Sequence, residues 1–257
     1  MSEVFTLEQI KKGDRKVNIK GCLVGTYGSG KTYAASTFPK AYFAFTSIGE
    51  ENTIVNNKEL HKNIVGWDFF VPESPTDTKR VFEELDKKCI EAKEMAKKGE
   101  IETFVLDNLT YLAENRWLYI SQYEKLVSRS GEVDTRGMYG NLGRWLYEFV
   151  YTKVVSIPCN VIICIHEDLE SDEAMMKKVD KTLPIVPAIL GGFRDKIGGM
   201  VDFVLYLTKV EKQGKYEYWA RTNLGNGRNA KSRFNLPTVL QNFNYETLRS
   251  SIESSLK

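Results

Sequence analysis

One octapeptide, Gly25-Thr26-Tyr27-Gly28-Ser29-Gly30-Lys31-Thr32, constrains this chain more than any other stretch. It matches the spacing G-x-x-x-x-G-K-[ST], in which a glycine-rich turn wraps a phosphate with backbone N–H groups. Glycine is demanded because side chains would block the approach of the phosphate. Lys31 is placed to reach the outer phosphates as a point charge, and Thr32 to ligate Mg²⁺ through its hydroxyl. The motif carries this meaning only between a strand and a helix. KVNIKGCLVG (Lys16–Gly25) supplies the strand, with apolar residues at 17, 19, 22, 23 and 24, and KTYAASTF supplies a helix that Pro39 stops. The positive end of that helix faces the same anion.

A metal on Thr32 needs a carboxylate. TFVLD provides one, Asp107, at the C-terminal end of a short apolar strand, Ile101–Asp107, which is where ligands collect in open α/β sheets. Guanine recognition beside such cradles rests on N-K-x-D placed after the metal aspartate. The nearest string, NNKEL at Asn56–Leu60, precedes Asp107 and lacks the final aspartate. ATP with Mg²⁺ is the expected ligand.

Ala41–Ser47 and Asn63–Val71 read as two more buried strands. Thr76–Lys98 has helical spacing, with Val81, Leu85, Cys89 and Ala92 inward and Gly99 ending it. After Asp107 the pattern predicts a long helical region interrupted by a polar, glycine-rich loop, Ser128–Gly143. Asn160–Asp168 reads as a buried strand ending in His-Glu-Asp. Met200–Val210 reads as the last core strand, in a hairpin across EKQG with Lys215–Thr222, and the tail from Asn244 as a helix. Strands alternating with helices predict an α/β fold: a mainly parallel sheet covered on both faces, with a C-terminal antiparallel hairpin. The expected organisation is an N-terminal segment (1–15), one core (16–243) and a C-terminal helix (244–257).

Composition narrows the function classes. Lys and Arg number 36 against 34 Asp and Glu, so a polyanionic partner would need a local patch rather than a basic molecule. The four cysteines, Cys22, Cys89, Cys159 and Cys164, show no C-x-x-C spacing, and neither His61 nor His166 has a metal-ligand neighbour at zinc spacing. A disulfide framework and a structural zinc site are not expected, nor is a membrane span, since no run of about 18 apolar residues occurs. A cytoplasmic protein is the expectation.

Asn108 follows Asp107, so the Asp-Glu pair common in AAA-type ATPases is missing. Two strands are expected between the cradle and Asp107, which we read as placing a separate strand between the two phosphate-site strands, its end free to hold a base. With LVGTYGSGKT, TFVLDNLTYL, VIICIHED, PAILGGFRDKIGGMVDFVLYL and ARTNLGNGRNAKSRFNLP, spread over Val17–Pro237, the chain resembles the phage-encoded RecA-like P-loop ATPases of the AAA superfamily, which act in recombination and single-strand annealing. The resemblance implies several roles. His166 would sense the γ-phosphate; a strand-end histidine capping a carbonyl is the plainer alternative. Relatives carry a glutamate base at the end of the second strand, where this chain has Ser47 and Ile48. Glu50 and Glu51 come slightly late, Glu50 being preferred, so hydrolysis is expected to be slow. Arg221, Arg228, Lys231 and Arg233 form a basic run from which Arg233 or Lys231 would act in trans on a neighbour's ATP, in a ring or filament of identical subunits. The loops 128–143 and 168–184 would face single-stranded DNA, with Arg129, Arg136, Tyr139 and Arg144 to neutralise phosphates and stack on bases. A single-strand DNA-binding protein is a further implied partner.

Two other function classes fit the same cradle. A small-molecule phosphotransferase would use the Ser128–Arg144 stretch as a lid, and a nucleotide-gated protein-binding switch would need no efficient base.

Overall fold

Strands rich in Val, Ile, Phe and Leu on both sides need cover above and below. The computed structural model, which describes residues 18–169, 185–223 and 228–255, shows how they obtain it. The N-terminal segment 1–15, residues 16–17 of the first expected strand, 170–184 of the second expected DNA loop, 224–227 and 256–257 lie outside the described residues.

The strands are β1 (Lys20–Gly25), β2 (Ala41–Phe45), β3 (Ile64–Phe69), β4 (Thr103–Asp107), β5 (Asn160–Leu169), β6 (Ile185–Pro187), β7 (Phe203–Lys212), β8 (Lys215–Arg221), β9 (Lys231–Ser232) and β10 (Val239–Leu240). The helices are α1 (Lys31–Ser36), α2 (Asn52–Val55), α3 (Thr78–Lys97), α4 (Leu109–Tyr123), α5 (Thr135–Glu148), α6 (Ile197–Met200) and α7 (Tyr245–Ser255). The sheet runs β10-β8-β7-β1-β5-β4-β2-β3. From β7 to β3 every neighbouring pair is parallel, while β8 and β9 pair antiparallel with β7. The expected C-terminal hairpin is thus present. Its turn is Gln213-Gly214, both at positive φ, as a two-residue connection between twisted strands requires.

Alternate strand residues feed two cores. On one face Val24, Leu106, Ile163 and Tyr206 meet Val81 and Leu85 of α3, Leu112 of α4 and Leu142 of α5. On the other, Leu23, Phe43, Ile162 and Leu205 meet Ala34 and Ala35 of α1, Ile54 of α2 and Leu248 of α7. Each fully buried Leu or Ile contributes about 1.5–3 kcal/mol by leaving water, which makes this two-sided cover the main source of stability.

Three expectations are corrected. First, β3 is not buried but is a sheet edge: Val65, Trp67 and Phe69 project outward at 37–48% exposure while their neighbours are half-covered. Second, most of the expected loop 128–143 is helix. Asp134 caps α5 by accepting from the Gly137 amide at 2.8 Å, and Met138, Leu142 and Leu146 bury one side. Only the turn at Val127–Val133, closed by a bridge between those residues, remains a loop. Third, the strand between the two phosphate-site strands is neither of the two that precede Asp107. It is β5, which follows Asp107 in the chain and carries His166, whereas β2 and β3 lie on the outer side of β4.

Candidate functional site

The cradle hangs between β1 and α1. Gly28 and Gly30 stand at φ +72° and +91°, a region costly for side-chain-bearing residues. A Cβ on Gly30 would come within 2.3 Å of the Tyr218 ring, whereas one on Gly28 would meet nothing within 4 Å. Gly30 is therefore a packing glycine, and Gly28 leaves the bowl open. Lys31 is buried, its Nζ donating to the carbonyls of Gly25 and Thr26, each at 2.9 Å, with His166 Nδ1 at 3.3 Å. Burial lowers its pKa, opposed by nearby acidic groups that include Asp107.

Asp107 ends β4 in register with Cys164 of β5, and its Oδ2 accepts from Thr32 Oγ1 at 2.7 Å. Burial pushes its carboxyl up to about 6, against the lowering effect of the Thr32 hydrogen bond. Five buried side-chain polar atoms lack a partner among the described residues, and four of them belong to this site: Asp107 Oδ1, Glu50 Oε2, Ser29 Oγ and Ser47 Oγ. Buried acceptors left bare are costly, so a cluster of them marks where a ligand supplies the missing partners. The hard oxygen donors of Thr32 and Asp107 fit Mg²⁺, which takes few protein ligands and shares its shell with phosphate oxygens and water. Among the described residues no group of three His, Cys, Asp or Glu could hold a metal unaided.

Glu50 and Glu51 part company here. Glu50 lines the pocket, with Oε1 accepting from Asn108 Nδ2 at 3.1 Å. Glu51 turns back to accept from the Gly49 amide at 2.7 Å. His166 lies opposite Gly25 in the β1–β5 register, where the parallel pairing ends. Its ring faces Lys31 through Nδ1 and Asn108 through Nε2, each at 3.3 Å, and packs on the Tyr27 ring with centroids 4.2 Å apart. Burial and the Lys31 charge hold its pKa down to about 4, so the ring is neutral at pH 7. The pocket encloses about 390 Å³, within the usual range of small-ligand sites.

Several of its residues were not singled out by sequence reasoning. Asn108 accepts from Tyr111 N at 3.0 Å and so caps α4; an Asn directly before a helix was a readable signal. Tyr111, whose hydroxyl meets that of Tyr27 at 3.0 Å, and Tyr218, which arrives from the distant hairpin, carried none.

None of the basic-run candidates lines this pocket. Arg228 pairs with Glu167 at 3.2 Å, and Arg233 with Asp202 at 3.3 Å and the Gly199 carbonyl at 2.9 Å. Lys231 and Arg221 make no ion pair among the described residues. Of the DNA candidates, Arg129 is exposed on the Val127–Val133 turn, while Arg136, Tyr139 and Arg144 are exposed on α5. Tyr139 and Arg144 line a second groove of about 500 Å³ with Gly140, Gly143, Tyr147, Phe193 and Lys196.

A family model described as an AAA domain, a nucleotide-binding ATPase type, matches residues 17–234. No curated protein matches the chain. Among the described residues no helix is long and apolar enough to cross a membrane.

Proposed function

We propose that this chain, which belongs to the AAA domain family, is a Mg²⁺-dependent ATPase that acts on single-stranded DNA as a homo-oligomer. The concentration of unpartnered buried oxygens around Lys31, Thr32 and Asp107 carries the ATP half of this reading. The amides of Gly25–Thr32 and the Lys31 ammonium hold the phosphates, and Thr32 and Asp107 hold the ion. Mg²⁺, when bound, neutralises charge on the outer phosphates. Glu50 orients the attacking water through its free Oε2; Glu51, tied to Gly49, does not. Glu50 belongs to the loop that carries exposed Ile48 and Gly49 at φ +108°, rather than to a strand end, which supports slow turnover.

The groove beside α5 supports the DNA half. It offers two tyrosines, Tyr139 backed by Trp117 and Tyr147 by Tyr151, as a stacking platform, Arg144 and Lys196 for phosphates, and bare backbone at Gly140 and Gly143. In the assembly, Lys231 acts on a neighbour's ATP, since Arg228 and Arg233 are occupied within their own subunit. The resemblance adds a setting in phage recombination or replication and a single-strand DNA-binding protein as partner.

Turnover per subunit should rise with protein concentration and lose that rise in Lys231→Ala. Labelled single-stranded oligonucleotide should bind with a salt slope that Arg144→Gln reduces by about 0.7, the share of one phosphate contact. Concentration-independent turnover would remove the trans role, and no binding at low salt with ATP and Mg²⁺ would remove the DNA half. Multiple turnovers above a Lys31→Ala background separate an ATPase from a nucleotide-gated switch, and phosphate transfer to an added nucleoside would favour a phosphotransferase.

A further inference from the structure

Asn108 stands where three parts of the site meet. It is buried at the junction of β4 and α4. Its Oδ1 accepts from Tyr111 N at 3.0 Å, which settles which end of the amide is the donor. Nδ2, with two hydrogens, therefore faces Glu50 Oε1 at 3.1 Å and His166 Nε2 at 3.3 Å. The backbone is pinned as well: Asn108 N donates to Thr46 Oγ1 at 2.9 Å, and the same hydroxyl donates to the Asn108 carbonyl at 2.5 Å.

Across the imidazole, Lys31 Nζ lies 3.3 Å from Nδ1. A neutral ring has a single N–H, and an ammonium can only donate. While Lys31 stays there, Nδ1 must be bare, so the proton sits on Nε2 and points at the Asn108 amide, which also can only donate. The Gly25 carbonyl lies beside the ring too; it accepts from Lys31 at 2.9 Å and has a second lone pair, so the competing arrangement is an Nδ1–H on Gly25 with the Lys31 contact given up. One of the two contacts to His166 is thus frustrated, and the charged donor prevails over the neutral one.

We propose that Asn108 is a positioning residue that transmits the presence of an outer phosphate, felt at His166, to the carboxylate of Glu50. The inference rests on the reading of this pocket as an ATP site. A phosphate that draws Lys31 off the ring removes the demand for a bare Nδ1. The proton on Nε2 leaves to water and another is taken up at Nδ1, with no change in the charge of the ring. Nδ1–H then donates to a phosphate oxygen, and Nε2 accepts from Asn108. Both amide hydrogens are now used, one on His166 and one on Glu50 Oε1. The unpartnered Oε2 of Glu50 is thereby held toward the pocket only when there is a phosphate to cleave.

His61 and His166 are the only histidines, so full-length protein labelled with ¹⁵N-histidine gives two ring systems in long-range ¹H–¹⁵N correlation spectra. The His166 proton should sit on Nε2 in the free protein and with ADP, and on Nδ1 with Mg²⁺ and a non-hydrolysable ATP analogue. Calorimetry on the same samples reports binding. An analogue that binds without moving the proton, or a proton already on Nδ1 in free protein, overturns this inference alone; failure of both nucleotides to bind overturns the ATP reading with it. Asn108→Ser keeps a capping oxygen but loses the amide donor. It should bind the analogue as wild type does, keep the phosphate-driven proton shift, and lower kcat about tenfold at unchanged KM, the scale of one hydrogen bond to a charged group. Asn108→Asp, isosteric and equally able to cap, repeats the test with the donor replaced by an acceptor. Variants that keep the wild-type kcat would overturn it.

Discussion

Asp107 is nearly sealed from water with one oxygen on Thr32 and the other on nothing, and its carboxyl is raised to about 6. The sign of the consequence follows from linkage. The folded state holds the proton more tightly than the unfolded chain, so the contribution is most favourable below about pH 4 and is lost as pH rises toward 6. The loss amounts to about 3 kcal/mol, at 1.36 kcal/mol per unit. Asp107→Asn should therefore melt higher than wild type in nucleotide-free buffer at pH 7.5, with a flatter pH profile between 4 and 6, while losing Mg²⁺-dependent nucleotide binding. A variant that melts lower, with the same profile, would deny that the bare oxygen awaits a cation. Two glycines in the cradle separate packing from access. Gly30→Ala, driven into the Tyr218 ring at positive φ, should cost roughly 1–3 kcal/mol of stability. Gly28→Ala has free space around it and should cost about 1 kcal/mol, yet weaken nucleotide binding more sharply because its methyl enters the bowl. Paired melts and calorimetry distinguish the two.

Helix α5 puts stability and function in opposition. Gly140 and Gly143 sit in helical backbone with nothing within 4 Å of a would-be Cβ, so alanine at each should stabilise by about 0.5–1 kcal/mol. The same methyls narrow the groove beside Tyr139 and Arg144, and oligonucleotide affinity should fall as the melting temperature rises. Gain in both would mean the groove is not used. This helix also shows where the sequence misleads. Three glycines and a polar approach have the local propensity of a loop, but the helical period of Met138, Leu142 and Leu146 wins through their burial. By contrast β1, α1 and β4 were legible as elements, because the glycine-rich spacing and the apolar run into Asp107 mark their bounds. The placement of β5 between them was not, since strand order is set by packing of the whole sheet. Glu50 over Glu51 depended on a turn at Gly49 that no periodicity encodes, and Tyr218 reaches the pocket only through the β7–β8 hairpin.

At the scale of the molecule, a near-neutral chain gathers its chemistry at the C-terminal ends of the parallel strands. There β4 and β5 deliver Asp107 and His166 to one pocket, beside the Gly25 end of β1, and two cores cover the sheet beneath it. The proposed DNA binding, assembly and Asn108 link all depend on this pocket taking ATP with Mg²⁺. Isothermal calorimetry of the full-length protein with ATP, with and without Mg²⁺, tests that most directly. Saturable uptake of one nucleotide per chain is predicted, strengthened by Mg²⁺, abolished by Lys31→Ala and made indifferent to Mg²⁺ by Asp107→Asn. No heat of binding in wild-type protein, or uptake that both variants retain unchanged, would contradict it.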